Sequence, residues 1–81
     1  MKMMKLWIGN IDPTASDEEI RAFLAKYTHL DVSTLTRVPG DGSRPAVLLD
    51  CPASSVTAIY EAQRRLEGMH WRSRTLVVSV L

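Results

Sequence analysis

An α+β fold, with two helices laid against a layer of strands, is predicted by three features of this 81-residue sequence. Two apolar runs, Leu6-Trp7-Ile8-Gly9-Asn10-Ile11 and Arg44-Pro45-Ala46-Val47-Leu48-Leu49-Asp50-Cys51, are short and strand-like. Two longer segments place apolar side chains at helical spacing. Taken in chain order, the segments read strand, helix, strand, strand, helix, strand.

The first strand alternates, with Leu6 and Ile8 facing the core and Lys5, Trp7 and Gly9 facing outward. A helix over about residues 16–28 follows. Ser16 and Glu19 can form a capping box, Asp17 and Glu18 suit the first turn, and Ile20, Phe23, Leu24 and Tyr27 make the buried stripe. Val32 to Val38 is β-compatible, and Pro39-Gly40-Asp41-Gly42-Ser43 is a cluster of turn residues, so an antiparallel hairpin into the third strand is expected. Pro52 ends that strand. Ser54 or Ser55 can cap a second helix whose apolar positions Val56, Ile59, Tyr60 and Leu66 run to a stop at Gly68. Arg74 to Leu81 is rich in β-branched residues and reads as one closing strand.

The third strand has two possible registers, and Asp50 chooses between them. An unpaired buried carboxylate would cost several kcal/mol, so the expected register sends Val47, Leu49 and Cys51 inward and Arg44, Ala46, Leu48 and Asp50 outward. The outward face then carries an indole, and an exposed aromatic on a flat sheet is a natural platform for a nucleobase.

Length and charge restrict the function. The chain supports one domain, residues 1–81, in which most of the 46% hydrophobic content is needed for the core. Ten Lys and Arg against nine Asp and Glu leave a net charge of +1, too little for a strong polyanion-attracting field. The single cysteine, Cys51, excludes an intrachain disulfide and suits a reducing compartment. Met1-Lys2-Met3-Met4-Lys5 begins like a signal peptide, but Asn10 and Asp12 break the apolar run, and no stretch reaches membrane-spanning length. An intracellular, cytoplasmic protein without membrane attachment is expected. His29, His70 and Cys51 lack the paired spacing of zinc sites, Gly40-Asp41-Gly42-Ser43 lacks the Gly-Lys-Ser/Thr ending of a phosphate loop, and no nucleophile-base set is present. Neither enzymatic activity, a metal nor a cofactor is expected.

With these segments in place, the chain resembles an RNA recognition motif. Leu6 to Ile11 is similar to the family's first signature, aliphatic-aromatic-aliphatic-x-Asn-Leu. Arg44 to Cys51 follows the second in outline: Arg44 takes the basic position, while Ala46 and Leu48 stand where stacking aromatics are expected. Leu66-Glu67-Gly68, Trp71, Arg74, Leu76 and Val78 also fit the family pattern. The resemblance implies a ferredoxin-like βαββαβ sandwich, a four-stranded antiparallel sheet packed on two helices, with Trp7 beside Leu48 and with Val77 and Ser79 on its other side. It also implies binding of single-stranded RNA, or by the same chemistry single-stranded DNA, on the open face with modest affinity. Trp7 would stack one base, Lys5 and Arg44 would meet phosphate, and Leu48 would touch a base or ribose. Asn10 would contact RNA or orient its own loop. Arg37 would join them if the second strand's register turns it outward. Trp71 is read as packing against a helix end. A subset of the family binds tryptophan-containing peptides through Arg-x-Phe near this point, but Met69-His70-Trp71 lacks the arginine. The alternative reading is a protein-interaction module that has lost RNA binding, with Trp7, Ala46, Leu48 and Val77 as an apolar patch for a partner or a homodimer.

Overall fold

Alternation along the strands and a single apolar stripe on each helix have one joint solution in the computed structural model, which describes residues 5–38 and 45–81. Strands β1 (Lys5–Gly9), β2 (Thr34–Val38), β3 (Ala46–Asp50) and β6 (Val77–Val80) form one antiparallel sheet in the order β2-β3-β1-β6. Helices α1 (Asp17–Tyr27) and α2 (Val56–Leu66) supply the other layer. Strands β4 (His70–Trp71) and β5 (Arg74–Thr75) pair as a separate small hairpin. The two strands that hold the signature-like runs, β1 and β3, are therefore the central neighbours.

The core lies between the layers. Leu6, Ile8, Val47, Leu49 and Val78 from the sheet meet Ile20, Phe23 and Leu24 of α1 and Ile59, Ala62 and Leu66 of α2, all buried, with Ile11 and Leu76 closing the ends. Each large aliphatic buried in this way contributes roughly 1.5–3 kcal/mol. No polar or charged residue is buried among the described residues. None of the described helices is long and apolar enough to cross a membrane.

The start of α1 follows from its capping box: the Glu19 amide donates to Ser16 Oγ (3.1 Å) and the Ser16 amide to Glu19 Oε1 (2.8 Å). Its far end closes where the Thr28 amide bonds the Leu24 carbonyl at 2.8 Å, so the helix occupies residues 17–27 between two cap residues. In α2 the capping hydroxyl is that of Ser55, which accepts from the Ala58 amide at 3.1 Å. The buried stripe differs from the expected one. Ile59 and Leu66 are in it, but Val56 (56% exposed) and Tyr60 (48% exposed) lie outside it, and the small Ala62 takes the intervening position. The packing phase is set by Ile59, Ala62 and Leu66, at i, i+3 and i+7.

The closing strand is also divided. Arg72 (φ 54°) and Ser73 (φ 64°) are successive left-handed residues, the backbone of a tight two-residue hairpin turn, and they fold Arg74–Thr75 back onto His70–Trp71. Leu76 then inserts into the core, its amide bonded to the Met69 carbonyl at 2.9 Å, before β6 begins. Glu67 beyond α2 accepts from the Val78 amide at 2.6 Å and so occupies a donor on the edge strand β6. The turn-rich run Pro39–Ser43 lies outside the described residues.

Candidate nucleic-acid interface

Residues opposite one another in antiparallel strands share a face, so the register determines the surface turned away from the helices. Trp7 stands opposite Leu48 of β3 and Ser79 of β6, Gly9 opposite Ala46 and Val77, and Lys5 opposite Asp50. Thr34, Thr36 and Val38 of β2 extend the same face beyond Asp50, Leu48 and Ala46. The middle of the face is thus apolar, with threonines along one side.

The indole of Trp7 is half-buried and runs along its own strand. A Cβ placed on Gly9 would fall 2.3 Å from Cη2, 2.7 Å from Cζ3 and 3.1 Å from Cζ2 of the ring, so the six-membered ring rests over the glycine. A cavity of about 300 Å3 lies beside it, walled by Trp7, Gly9, Asn10, Thr75 and Val77. Val77 is 46% exposed and forms the outer wall.

Of the other residues expected to serve the site, Leu48 is half-buried next to Trp7 and Lys5 is on the same face. The Lys5 ammonium sits 3.7 Å from Asp50 Oδ1, an atom that has no hydrogen-bond partner and is shielded from solvent. Asp50 has the expected register, yet its side chain is only 19% exposed. Ala46 is on the expected face as well, but it is buried, because the residue opposite it is the glycine that the indole covers.

Asn10 sits at the end of β1 with φ 63°. Its amide nitrogen donates to the Thr75 carbonyl (2.9 Å) and its Oδ1 accepts from Arg74 Nη1 (3.2 Å), so the side chain joins the end of β1 to the small hairpin. Arg37 is on the other side of the sheet. Opposite Val47, it reaches back to α1, where Nη1 donates to the Ala15 carbonyl (3.0 Å) and Asp17 Oδ1 (3.1 Å). It is therefore not brought together with Trp7. Arg44 lies outside the described residues.

Two contributors were not singled out as site residues by the sequence: Gly9, which seats the ring, and Thr75, which walls the cavity. A glycine inside a strand pattern is a signal of close approach, and Gly9 was readable on that ground. Nothing in the sequence announced Thr75, which arrives through the hairpin.

The second indole is on the helix side. Trp71 stacks on Phe23 with centroids 4.5 Å apart and planes 23° apart, Phe23 meets Tyr27 at 5.2 Å, and the Arg72 guanidinium lies 5.3 Å over Trp71. Arg72 also bonds the Glu19 carboxylate and lies 4.0 Å from Asp12 Oδ2. Hydrogen bonds from the Thr14 amide and hydroxyl hold the Asp12 carboxyl below its ordinary range, with Arg72 and Arg74 adding to the effect. The Ser16 amide, then the Arg72 charge, do the same for Glu19. Burial, reinforced by Asp50 and Asp31, pushes the Cys51 thiol up to about 11. Among the described residues no three His, Cys, Asp or Glu side chains are grouped as metal ligands would be.

No protein-family model matches this chain, and no curated protein matches it either.

Proposed function

We propose that this chain is a ferredoxin-like module of the RNA recognition motif type, and that its open sheet face binds single-stranded RNA, or single-stranded DNA by the same chemistry. One observation carries the reading: the indole of Trp7 lies on the face away from the helices, half-buried over Gly9, between Leu48 and Ser79. One base stacks on that ring, Leu48 adds dispersion contact, and Lys5 supplies a cation at the rim. Asn10 serves by holding the hairpin beside the cavity. The protein works as a binding module rather than an enzyme, inside the cell and without a cofactor.

Base stacking on an aromatic is worth roughly 1–3 kcal/mol, so Trp7→Ala is expected to weaken binding by roughly 5- to 150-fold while the amide spectrum of the core stays in place. Amide-shift mapping during titration with a randomised short RNA should move Lys5, Trp7, Gly9, Leu48 and Val77 and leave the outer faces of α1 and α2 unmoved. Shifts confined to the helices would reject the reading.

A protein-interaction role has one observation in its favour. Lys5 is committed in part to Asp50 and Arg37 to α1, so the described part of the face is apolar and has little cationic character. On that reading the face docks a partner or a second copy. Leu48→Asp would then abolish concentration-dependent sedimentation, whereas a monomer at all concentrations would reject self-association.

A further inference from the structure

Gly9 is the last residue of β1, a central strand of the sheet paired on both sides, where glycine weakens pairing. Its backbone is outside the left-handed region, so φ and ψ do not demand glycine. What demands it is the ring. An added methyl would stand 2.3 Å from Cη2 and 2.7 Å from Cζ3 of Trp7, and such separations force one of the two groups to move. The neighbouring strands leave little room for a shift, because Gly9 is paired on both sides, with Ala46 and with Val77. The ring is the group that would lift.

We infer that Gly9 is the positioning residue of the Trp7 platform: its missing side chain is the seat that lets the indole lie along the sheet and present one face outward. This rests on the reading that the open face receives a base. A ring resting on a backbone has its orientation fixed before any ligand arrives, and a fixed platform binds better than one that must be ordered on contact. Val77 and Thr75 then wall one flank of the seated ring, so the cavity beside it depends on the same glycine. A lifted indole would project into that space.

The test is a four-protein comparison of wild type, Gly9→Ala, Trp7→Phe and the double variant. The three ring atoms nearest the added methyl, Cζ2, Cη2 and Cζ3, have no counterparts in a phenylalanine side chain, so Trp7→Phe removes the collision without removing an aromatic. Two readouts are taken: affinity for a randomised short RNA, and the side-chain resonances and near-ultraviolet dichroism of the indole. The expected result is that Gly9→Ala shifts the Trp7 signals and lowers affinity by roughly fivefold or more, the lower end of a lost stacking contact. In the Trp7→Phe background the same change should alter affinity by less than about twofold, with the two effects coupled as those of touching residues are. Unmoved indole signals in Gly9→Ala, or equal losses in both backgrounds, would overturn the inference. Should wild type bind no RNA while Gly9→Ala still displaces the indole, the functional reading fails and the seat stands. If Gly9→Ala did not fold, recovery of folding in the double variant would show the same collision, and no recovery would refute it.

Discussion

Ser73→Gly should stabilise this protein, and the expectation follows from two backbone angles. Arg72 and Ser73 both lie in the left-handed region, at φ 54° and 64°, where an L-residue carries about 1–2 kcal/mol of strain. Glycine relieves that strain but gives the unfolded chain more freedom, which takes back about 0.4–1 kcal/mol. The balance is a gain of about 0.5–1 kcal/mol. For a domain of this size, that corresponds to a rise in melting temperature of about 3–6 °C. Ser73 is exposed at the tip of the hairpin, so little packing is lost. Arg72→Gly is the control: it makes the same backbone gain but gives up the contacts to Glu19 and Asp12 and the cation–π contact over Trp71, the last worth about 0.5–1 kcal/mol. It should gain nothing. Thermal and urea unfolding of both variants, with Ser73→Ala alongside, provide the measurement. A Ser73→Gly protein no more stable than wild type, or an Arg72→Gly protein more stable than Ser73→Gly, would refute the argument.

Ser16→Ala removes the hydroxyl that accepts from the Glu19 amide and should cost about 1 kcal/mol by urea titration. Cys51 is 1% exposed, and its thiol is raised to about 11, so a thiol reagent at pH 8 should label the native protein only as fast as it unfolds. Asp12 and Glu19 are both lowered in the folded state from ordinary values of 3.8 and 4.5. Their contribution is complete above those values and is lost as pH falls through the lower folded ones; Asp12→Asn with Glu19→Gln should flatten the acid limb of stability against pH. If RNA is bound, about one or two phosphates are neutralised, which gives a log–log salt slope between about −0.7 and −1.4 and a three- to sevenfold loss of affinity between 50 and 200 mM salt. A slope steeper than about −2 would mean that cations, rather than the ring, dominate.

Some parts of this fold could be read from the sequence because a single local interaction decides them. The start of α1 is written in Ser16 and Glu19, whose reciprocal bonds need no distant partner. The register of β3 was readable from Asp50, since alternation permits only two answers and one of them buries a charge. Elsewhere the deciding interaction is tertiary. Val56 and Tyr60 have the spacing of a buried stripe, yet the face of α2 that meets the sheet is the one on which Ala62 allows close approach, and alanine is a weak hydrophobic signal. Arg74 to Leu81 has continuous strand propensity, but the break at Leu76 depends on a turn made by Arg and Ser, residues that do not advertise left-handed backbone as glycine or asparagine would. In the site, Trp7 and Leu48 followed from alternation alone. The position of Arg37 did not, because the face it occupies is set by the pairing of β2 with β3 and by its bonds to Ala15 and Asp17.

The strained hairpin and the open face belong to one arrangement. Left-handed non-glycine residues persist only where surrounding contacts over-determine them, and this hairpin is tied from several directions. Trp71 stacks on Phe23 of α1, Arg72 bonds Glu19 at the start of the same helix, and Arg74 and Thr75 are both held by the side chain of Asn10. These ties bring Thr75 to the flank of the Trp7 indole, where it extends the wall that Val77, paired opposite Gly9 in the sheet, already makes on that side. If that is why the strain is kept, cutting one tie should be felt at the face. Asn10 is the tie closest to the ring, and it is left-handed itself, so its carboxamide links the backbone that follows the ring's own strand to the wall beside the ring.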